Sequence, residues 1–260
     1  ASLIMMILVK LAALITFTVL IFLIIYILVH GVPYLKPSLF SLHYNSENAS
    51  LMPALINTVI MTLLSLLLAV PIGIFSAIFL AEYAGKGNKF VDIIRLTTET
   101  LSGIPSIVYG LFGMLFFVST CHWGFSLLAG AFTLAIMILP LIMRTTEEAL
   151  LSVPDSYREG SFGLGAGKLR TVFYIVLPSA VPGILAGVIL AIGRIVGETA
   201  ALIYTAGSVA QVPSSVLGSG RTLAVHMYLL ASEGLYMDQA YATAVILLVL
   251  VVVINTLSGI

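Results

Sequence analysis

Charged residues are scarce in this sequence. Of its 260 residues only 8% are Asp, Glu, Lys or Arg, whereas 60% are hydrophobic. A soluble domain carries about 25% charged residues, so the composition excludes a soluble domain. The 11 basic and 11 acidic residues cancel, which leaves no basic surface for nucleic acid and no acidic tail. The single cysteine, Cys121, excludes a disulfide framework and a zinc-ribbon spacing.

The hydrophobic residues form six runs, each close to the roughly 20 residues that a helix needs to cross a bilayer. The runs are continuous rather than alternating, so they predict helices and not a barrel. No linker or internal repeat divides the chain, and we predict one all-α integral membrane domain over residues 1–260. The predicted spans are 8–29, 54–80, 101–118, 125–143, 182–206 and 240–257.

Lys and Arg are concentrated in two of the connecting segments. Segments 83–100 and 144–180 hold seven of them, whereas segments 31–53 and 208–239 hold only two. Because positive charge favours the cytoplasmic side, we expect the first two segments there, together with both termini. The apolar stretch Leu223–Leu230 is too short to span the bilayer and predicts a re-entrant or interfacial helix.

A polar stretch interrupts the apolar sequence within segment 144–180. It reads Glu159-Gly-Ser-Phe-Gly-Leu-Gly165, then nine residues, then Ile175-Val-Leu-Pro178. A membrane protein has no packing reason to keep such an element outside the bilayer. We therefore expect a partner on the water side to bind it. The alternative is an ordinary cytosolic connector.

The same stretch predicts a short helix over 157–164. Ser156 and Glu159 have the spacing of a capping box, with Ser156 as N-cap, and Gly163 and Gly165 permit the helix to stop. A helix of two turns cannot cover its own apolar side chains, so these need the bundle or a partner. They are Tyr157, Phe162 and Leu164.

A second candidate site is a charged pair inside the fifth predicted span. Arg194 and Glu198 are four residues apart, which places both on one face of a helix. Arg194 lies about 18 Å beyond Pro182 along a helix, where one charged residue costs about 2.5–3.5 kcal/mol. Arg194 would present charge to a translocating anion while Glu198 holds its guanidinium; the alternative is a structural bridge. Gly193 and Gly197 would let a neighbouring helix approach.

A third candidate is the start of the third predicted span, Ser102-Gly-Ile-Pro-Ser106. Pro105 removes a backbone donor and disfavours helix just before it. A helix broken inside a membrane is tolerated where it is buried in protein or lines a cavity. The alternative is a simple helix start. The four histidines have no ligand spacing, and no set of side chains predicts a metal site or catalysis within the chain.

Several stretches together resemble the PstA-type permeases of bacterial phosphate importers, from about residue 50 to the C-terminus. The Glu159-to-Pro178 spacing resembles the ATPase-coupling loop of ABC-importer permeases in general, with Gly160 and Ser161 in place of two alanines. Ala200-Ala201 after Gly-Glu-Thr is closer to PstA than to its sister permease PstC. The other matching stretches are Arg144-Thr-Thr-Glu-Glu-Ala-Leu150, Val153-Pro-Asp-Ser-Tyr-Arg-Glu159, Gly193-Arg-Ile-Val-Gly-Glu-Thr-Ala-Ala201 and Gly103-Ile-Pro-Ser-Ile-Val-Tyr-Gly110.

The resemblance implies the fold of a type I importer permease in the bacterial cytoplasmic membrane. It implies a PstC-type permease, two ATPase subunits and an extracytoplasmic phosphate-binding protein as partners, with ATP and Mg on the ATPase subunits and no cofactor on this chain. The implied ATPase-coupling residues are Tyr157, Arg158, Glu159, Ser161, Phe162, Leu164 and Gly165. The implied residues of the translocation pathway are Arg194, Glu198, Thr199, Pro105 and Ser106. Alternatives are a sulfate or molybdate permease, a stand-alone secondary transporter, and a membrane scaffold.

Overall fold

A computed structural model describes residues 2–84 and 89–258 of the chain. Over these residues the chain is helical and forms no strand, which confirms the all-α prediction. The α-helices are α1 (Ser2–Gly31), α2 (Met52–Ile78), α3 (Lys89–Ser102), α4 (Ser106–Gly113), α5 (Leu127–Leu151), α6 (Asp155–Gly163), α7 (Lys168–Thr171), α8 (Leu177–Val196), α9 (Ala200–Ile203), α10 (Leu223–Glu233) and α11 (Met237–Ser258). Turns of π-helix extend α2 over Phe79–Tyr83 and α4 over Met114–Thr120, and join α7 to α8 over Val172–Val176.

Five helical stretches are long and apolar enough to cross a membrane. They are Ile4–Tyr34, Met52–Tyr83, Leu127–Leu151, Lys168–Val196 and Met237–Thr256. The six predicted spans are recovered only when α3 and the helix Ser106–Thr120, which meet at a bend of 100°, count as one. Ser106–Thr120 alone is shorter than the roughly 20 residues that cross a bilayer, so together with α3 it forms either a broken span or a re-entrant loop.

Helix α5 is the centre of the bundle and packs between α2 and α8. Close backbone approach is possible where glycine meets a neighbouring helix: a Cβ on Gly110 of α4 would come within 2.7 Å of Ala201 in α9. Helix α1 differs, because its apolar side chains are exposed along its length and its neighbour is α11. Its surface is therefore available to lipid. The largest side chains of the main core include Met61, Leu134, Ile138, Ile142 and Leu202.

The loop predicted over 144–180 is shorter in the structure, because helices enter it from both sides. Helix α5 continues to Leu151, and the next long helix begins at Lys168. The last two turns of α5 are charged, and their charges are paired. Arg144 bonds Glu148 one turn on at 2.9 Å, and Arg95 of α3 bonds Glu147 at 2.6 Å.

The two ends of the bundle carry different elements. The α6 end holds α6 and the π-helical end of α2. At the opposite end, short 3-10 turns form beside prolines over Val32–Tyr34 and Pro37–Phe40. There the Gly218 carbonyl accepts from Leu127 N at the start of α5 (3.0 Å). The short helix predicted at Leu223–Leu230 is α10, which packs on α11.

Candidate functional site

Helix α6 begins at Asp155, one residue before the predicted N-cap. Pro154 precedes it with φ −57° and ψ 139°, and no side chain caps the helix. The capping box of Ser156 and Glu159 is therefore wrong. Proline fixes the backbone turn into the helix, and Asp155 supplies the negative charge that favours a helix N-terminus. Both effects act one residue upstream of Ser156.

The end of α6 follows the prediction. Gly165 has a left-handed backbone with φ 84°, which glycine adopts without strain. Gly165 N donates to Phe162 O (2.9 Å) and Ala166 N to Ser161 O (3.1 Å). These two bonds form a Schellman motif, which satisfies carbonyls at the end of a helix.

Arg158 fixes α6 to the bundle. Its Nη2 and Nε donate to Glu82 Oε1 at 2.7 and 3.1 Å, and its Nη1 and Nη2 donate to the carbonyls of Val153 and Leu150 at 2.7 and 2.9 Å. The two charged side chains are only 14% and 8% exposed. Arg158, predicted as a docking residue, therefore points into the chain and positions α6.

Ser161 fixes the other end of α6. Its Oγ lies 2.8 Å from Thr171 Oγ1 in α7, and Thr171 is 1% exposed. This hydroxyl therefore makes its hydrogen bond within the chain. It stands where the family pattern has alanine. Helix α6 is held at both ends, as an element that transmits force requires.

The outer surface of α6 is apolar, as the sequence indicates. Tyr157 and Phe162 are about half exposed, Leu164 is 92% exposed, and Glu159 is exposed among them. An open concavity of about 550 Å³ runs from Tyr157 and Leu164 to Arg170.

Sequence reasoning missed the second wall of this surface. Leu169, Arg170, Phe173 and Tyr174 line an adjoining concavity of about 620 Å³, and Tyr174 is 75% exposed. The available signal was the aromatic pair Phe173-Tyr174, which stands in a segment predicted as a loop and is helical in the structure.

The predicted pair of Arg194 and Glu198 does not form. Helix α8 ends at Val196, and the Glu198 carboxylate turns to accept a hydrogen bond from Ala201 N at 3.0 Å. Among the ion pairs within 2–84 and 89–258, none includes Arg194. Gly197 ends the helix, so the four-residue spacing no longer places both side chains on one face.

Arg194 is half-buried in the last turn of α8. Tyr109 of α4 donates from its hydroxyl to Leu101 O at 2.8 Å across the break between α3 and α4, and the next residue, Gly110, packs on Ala201 just after the break that ends α8. The break that follows α8 therefore lies close to the break at Pro105.

Pro105 and Ser106 form the start of α4. Pro105 is the N-cap residue, with φ −59° and ψ 141°, and α3 before it is bent away by 100°. The chain therefore has a break between two helices at Pro105, and the position of this break inside the membrane stays a prediction. Thr199 and Ile107, two residues beyond Pro105, line a shared, mostly apolar cavity of about 690 Å³.

The expected helix contact at Gly193 and Gly197 is wrong within this chain. No atom of another helix lies within 4 Å of a Cβ built at either glycine. Close approaches occur instead at Gly110 and Gly187, where Ala201 and Thr145 fill the space. Among the residues that the structure describes, no three His, Cys, Asp or Glu side chains come together as a metal site.

Similar proteins agree with this geometry. The family of binding-protein-dependent transport system inner membrane components matches residues 69–260. The probable ABC transporter permease protein YqgI of Bacillus subtilis is 35% identical over 248 residues, covering 88% of this chain and 84% of the relative. The phosphate transport system permease protein PstA of Haemophilus influenzae is 39% identical over 178 residues, covering 68% of this chain and 62% of that relative.

A bacterial alginate ABC transporter, solved in complex with an alginate-bound periplasmic protein, has the same fold. It matches with a TM-score of 0.68 at 17% identity, over 95% of this chain and 92% of the other. The fold is that of a type I ABC-importer permease, a multi-pass inner membrane protein. The chain belongs to the family of binding-protein-dependent transport system inner membrane components.

Proposed function

We propose that this chain is the permease subunit of an ATP-driven phosphate importer. The observation that carries the proposal is a cation without a counter-charge: Arg194 is half-buried and, among the residues that the structure describes, unpaired, in a chain that is 39% identical to a PstA permease. That alignment spans about three fifths of the relative's own length, so the cargo belongs to the proposal.

Arg194 is the proposed contact for the anion. A guanidinium donates two parallel hydrogen bonds to an oxyanion. Because Glu198 is held by Ala201 N at 3.0 Å, it does not neutralise this charge. Irregular backbone at membrane depth is tolerated where it lines a path, and Thr199, Pro105 and Ser106 stand at the two breaks beside it.

Helix α6 is the proposed ATPase-docking element. Its exposed face supplies Tyr157, Glu159, Phe162 and Leu164, and Gly165 shapes its end. Arg158 and Ser161 act behind this face, since their bonds to Glu82 and Thr171 hold α6 on the bundle. A movement of the ATPase would therefore move the ends of α2 and α8 with α6.

The α6 end is the cytoplasmic end in this proposal, and both termini lie there, because the connecting segments at that end carry most of the Lys and Arg. The partners are a PstC-type permease, two ATPase subunits that hold ATP and Mg, and an extracytoplasmic phosphate-binding protein. The chain itself contributes half of the translocation pathway and no catalytic residue.

Reconstitution into vesicles tests the proposal. The chain, co-purified with its operon partners, should take up radiolabelled phosphate only with ATP and the binding protein present. Uptake without an ATPase would support a secondary transporter instead. Stimulation of ATP hydrolysis by a sulfate-loaded or molybdate-loaded binding protein, and not by a phosphate-loaded one, would assign a different oxyanion.

A further inference from the structure

A buried polar cluster lies at the end of the bundle opposite α6. It consists of Tyr44, Asn57, Arg221, Thr222 and His226, which we call the Arg221 cluster. Asn57 and Glu82 are 25 residues apart on the continuous helix Met52–Tyr83, which separates them by about 37 Å. The cluster is therefore remote from the α6 surface.

Contacts between different elements hold the cluster together. Arg221 lies over the ring of Tyr44, 4.7 Å from its centre, and the same ring meets the His226 imidazole edge-on at 6.1 Å. Asn57 Nδ2 donates to the carbonyls of Arg221 (3.2 Å) and Gln211 (2.9 Å). These bonds fix which side of the Asn57 amide is nitrogen and which is oxygen.

The side chains of the cluster are buried but unsatisfied. Arg221 is 6% exposed, and Asn57, Thr222 and His226 are at most 2% exposed. Among the described residues, Arg221 Nε and Nη2, Thr222 Oγ1 and Asn57 Oδ1 have no hydrogen-bond partner, and the ring of His226 has only a weak contact with the backbone of Ala49. A guanidinium buried without a counter-charge is unfavourable, and the contact with the Tyr44 ring does not satisfy the N–H groups at Nε and Nη2.

The unsatisfied groups have a definite chemical character. Arg221 and Thr222 supply N–H and O–H donors, Asn57 Oδ1 is an acceptor only, and neutral His226 can donate from one nitrogen and accept at the other. The cluster thus combines one positive charge, several donors and at least one acceptor. Sulfate and chloride offer nothing to an acceptor, whereas hydrogen phosphate carries both acceptor oxygens and an O–H.

We infer that the Arg221 cluster is a binding site for a small hydrogen-bearing oxyanion, of which inorganic phosphate is the simplest. Arg221 Nε and Nη2 donate to two of its oxygens, Thr222 Oγ1 and one nitrogen of His226 donate to others, and Asn57 Oδ1 accepts its proton. The site stands apart from Arg194 and does not depend on the cargo that the importer carries.

The Tyr44 side chain closes this site. Its ring is half-buried and covers both Arg221 and His226. It belongs to the loop between the first two spans, in which Asn45 and Asn48 each accept a backbone N–H from the other, at 2.7 and 3.0 Å. Rotation of the Tyr44 side chain would uncover the guanidinium without unfolding the loop.

Equilibrium binding of radiolabelled inorganic phosphate to the purified full chain in detergent tests the inference, with the binding protein left out. Arg221→Gln should weaken binding about tenfold or more, the expected loss of a hydrogen bond to a charged group. Arg144→Gln removes an exposed arginine of α5, outside both proposed phosphate contacts, and should leave this binding in place. Sulfate should compete about tenfold less well than phosphate, because it cannot satisfy Asn57.

Thr222→Val keeps the shape of the site and removes one donor, so it tests the same inference if Arg221→Gln fails to fold. It should weaken phosphate binding severalfold. The inference is overturned if the wild-type chain binds no phosphate, which would mean that water satisfies these atoms, or if both variants bind it as the wild type does. Equal competition by sulfate would overturn the assignment to a hydrogen-bearing anion. Failure of ATP-driven uptake alone would bear on the proposed function and not on this site.

Discussion

Arg158 of α6 donates two hydrogen bonds to a single oxygen of Glu82, at the end of α2, at 2.7 and 3.1 Å. The residues are 76 positions apart in the chain, and their side chains are largely removed from water. A charge-assisted contact of this kind is short and directional. It therefore makes α6 and α2 move as one body at the proposed ATPase-docking end.

The first prediction concerns this pair. Glu82→Gln leaves the Arg158 guanidinium with two carbonyls and the exposed carboxylate of Asp155 as partners, and we expect it to lower the free energy of unfolding by about 1–3 kcal/mol. We also expect ATP hydrolysis to continue with less phosphate taken up per ATP, because α2 no longer follows α6. Thermal unfolding of the purified chain and the uptake-to-hydrolysis ratio in vesicles measure the two effects.

The matched control is the exposed pair of Arg144 and Glu148, whose side chains are each 63% exposed. Exposed pairs one turn apart contribute little, so Glu148→Gln should change neither quantity measurably. Equal effects of Glu82→Gln and Glu148→Gln would contradict a special role for the Arg158 contact.

The second prediction separates two glycines of the docking element. Gly165 has φ 84° with open space around it, so Gly165→Val should cost about 1–3 kcal/mol of local backbone strain and uncouple ATP hydrolysis from uptake. Gly160 also has open space but lies inside the helix, so Gly160→Ala should raise stability by about 0.5–1 kcal/mol. Normal coupling in Gly165→Val would argue against α6 as the docking element.

Glu159→Lys tests the same surface without changing the backbone. Glu159 is exposed and forms no ion pair among the described residues, so the reversed charge should leave folding intact. We expect weaker co-purification of the ATPase subunits and uncoupled hydrolysis. Unchanged recovery of the ATPase together with normal uptake would exclude Glu159 from the contact.

The sequence predicted those parts of the molecule that composition and local spacing determine. Long apolar runs fix the spans, because hydrocarbon tolerates little else, and the exposure of Phe162 and Leu164 follows from the shortness of α6. The start of α6 was misplaced because Pro154 and Ser156 both carry helix-start signals. The bond from Arg158 to Glu82 leaves no local signal, since it depends on how distant segments pack.

The break after Val196 shows the limit most clearly. A spacing of four residues between Arg194 and Glu198 is compatible with an ion pair on a continuous helix. It is equally compatible with a helix that ends between the two residues. The outcome depends on whether the carboxylate prefers the guanidinium or the backbone N–H of Ala201. In the folded chain the N–H is preferred, at 3.0 Å, and the sequence alone does not decide between them.

The absence of an ion pair between Arg194 and Glu198 gives the third prediction. Arg194→Gln should lower phosphate uptake about 10- to 100-fold, the loss expected for one charged hydrogen-bonding contact, while the complex still assembles. The charge-swapped variant with Arg194→Glu and Glu198→Arg should not restore uptake, because the two side chains are not paired. Rescue by the swap, measured as initial uptake rate at constant expression, would contradict the structure.

The fourth prediction concerns pH and His226, in α10 outside the candidate spans. Burial, followed by the charge of Arg221, lowers the pKa of His226 to about 3, against an opposing effect of the Ala49 carbonyl. Below pH 6.5 the unfolded chain binds a proton at His226 and the folded chain does not. The contribution of the neutral His226 to the free energy of unfolding is therefore fully present above pH 6.5. It should be lost as the pH falls from 6.5 towards 3, by about 1.4 kcal/mol per unit.

Unfolding of the purified chain between pH 7 and pH 5 measures this effect. His226→Gln should flatten the pH dependence, whereas His43→Gln, at an exposed histidine of the same end, should keep the wild-type slope. Arg221 and Tyr44 are the charged and titratable groups in contact with the His226 site. Arg221→Gln should partly flatten the pH dependence of stability, because it removes the charge that is the second cause of the lowered His226 pKa. An identical slope in the wild type and His226→Gln would mean that His226 binds its proton equally in the folded and unfolded chain.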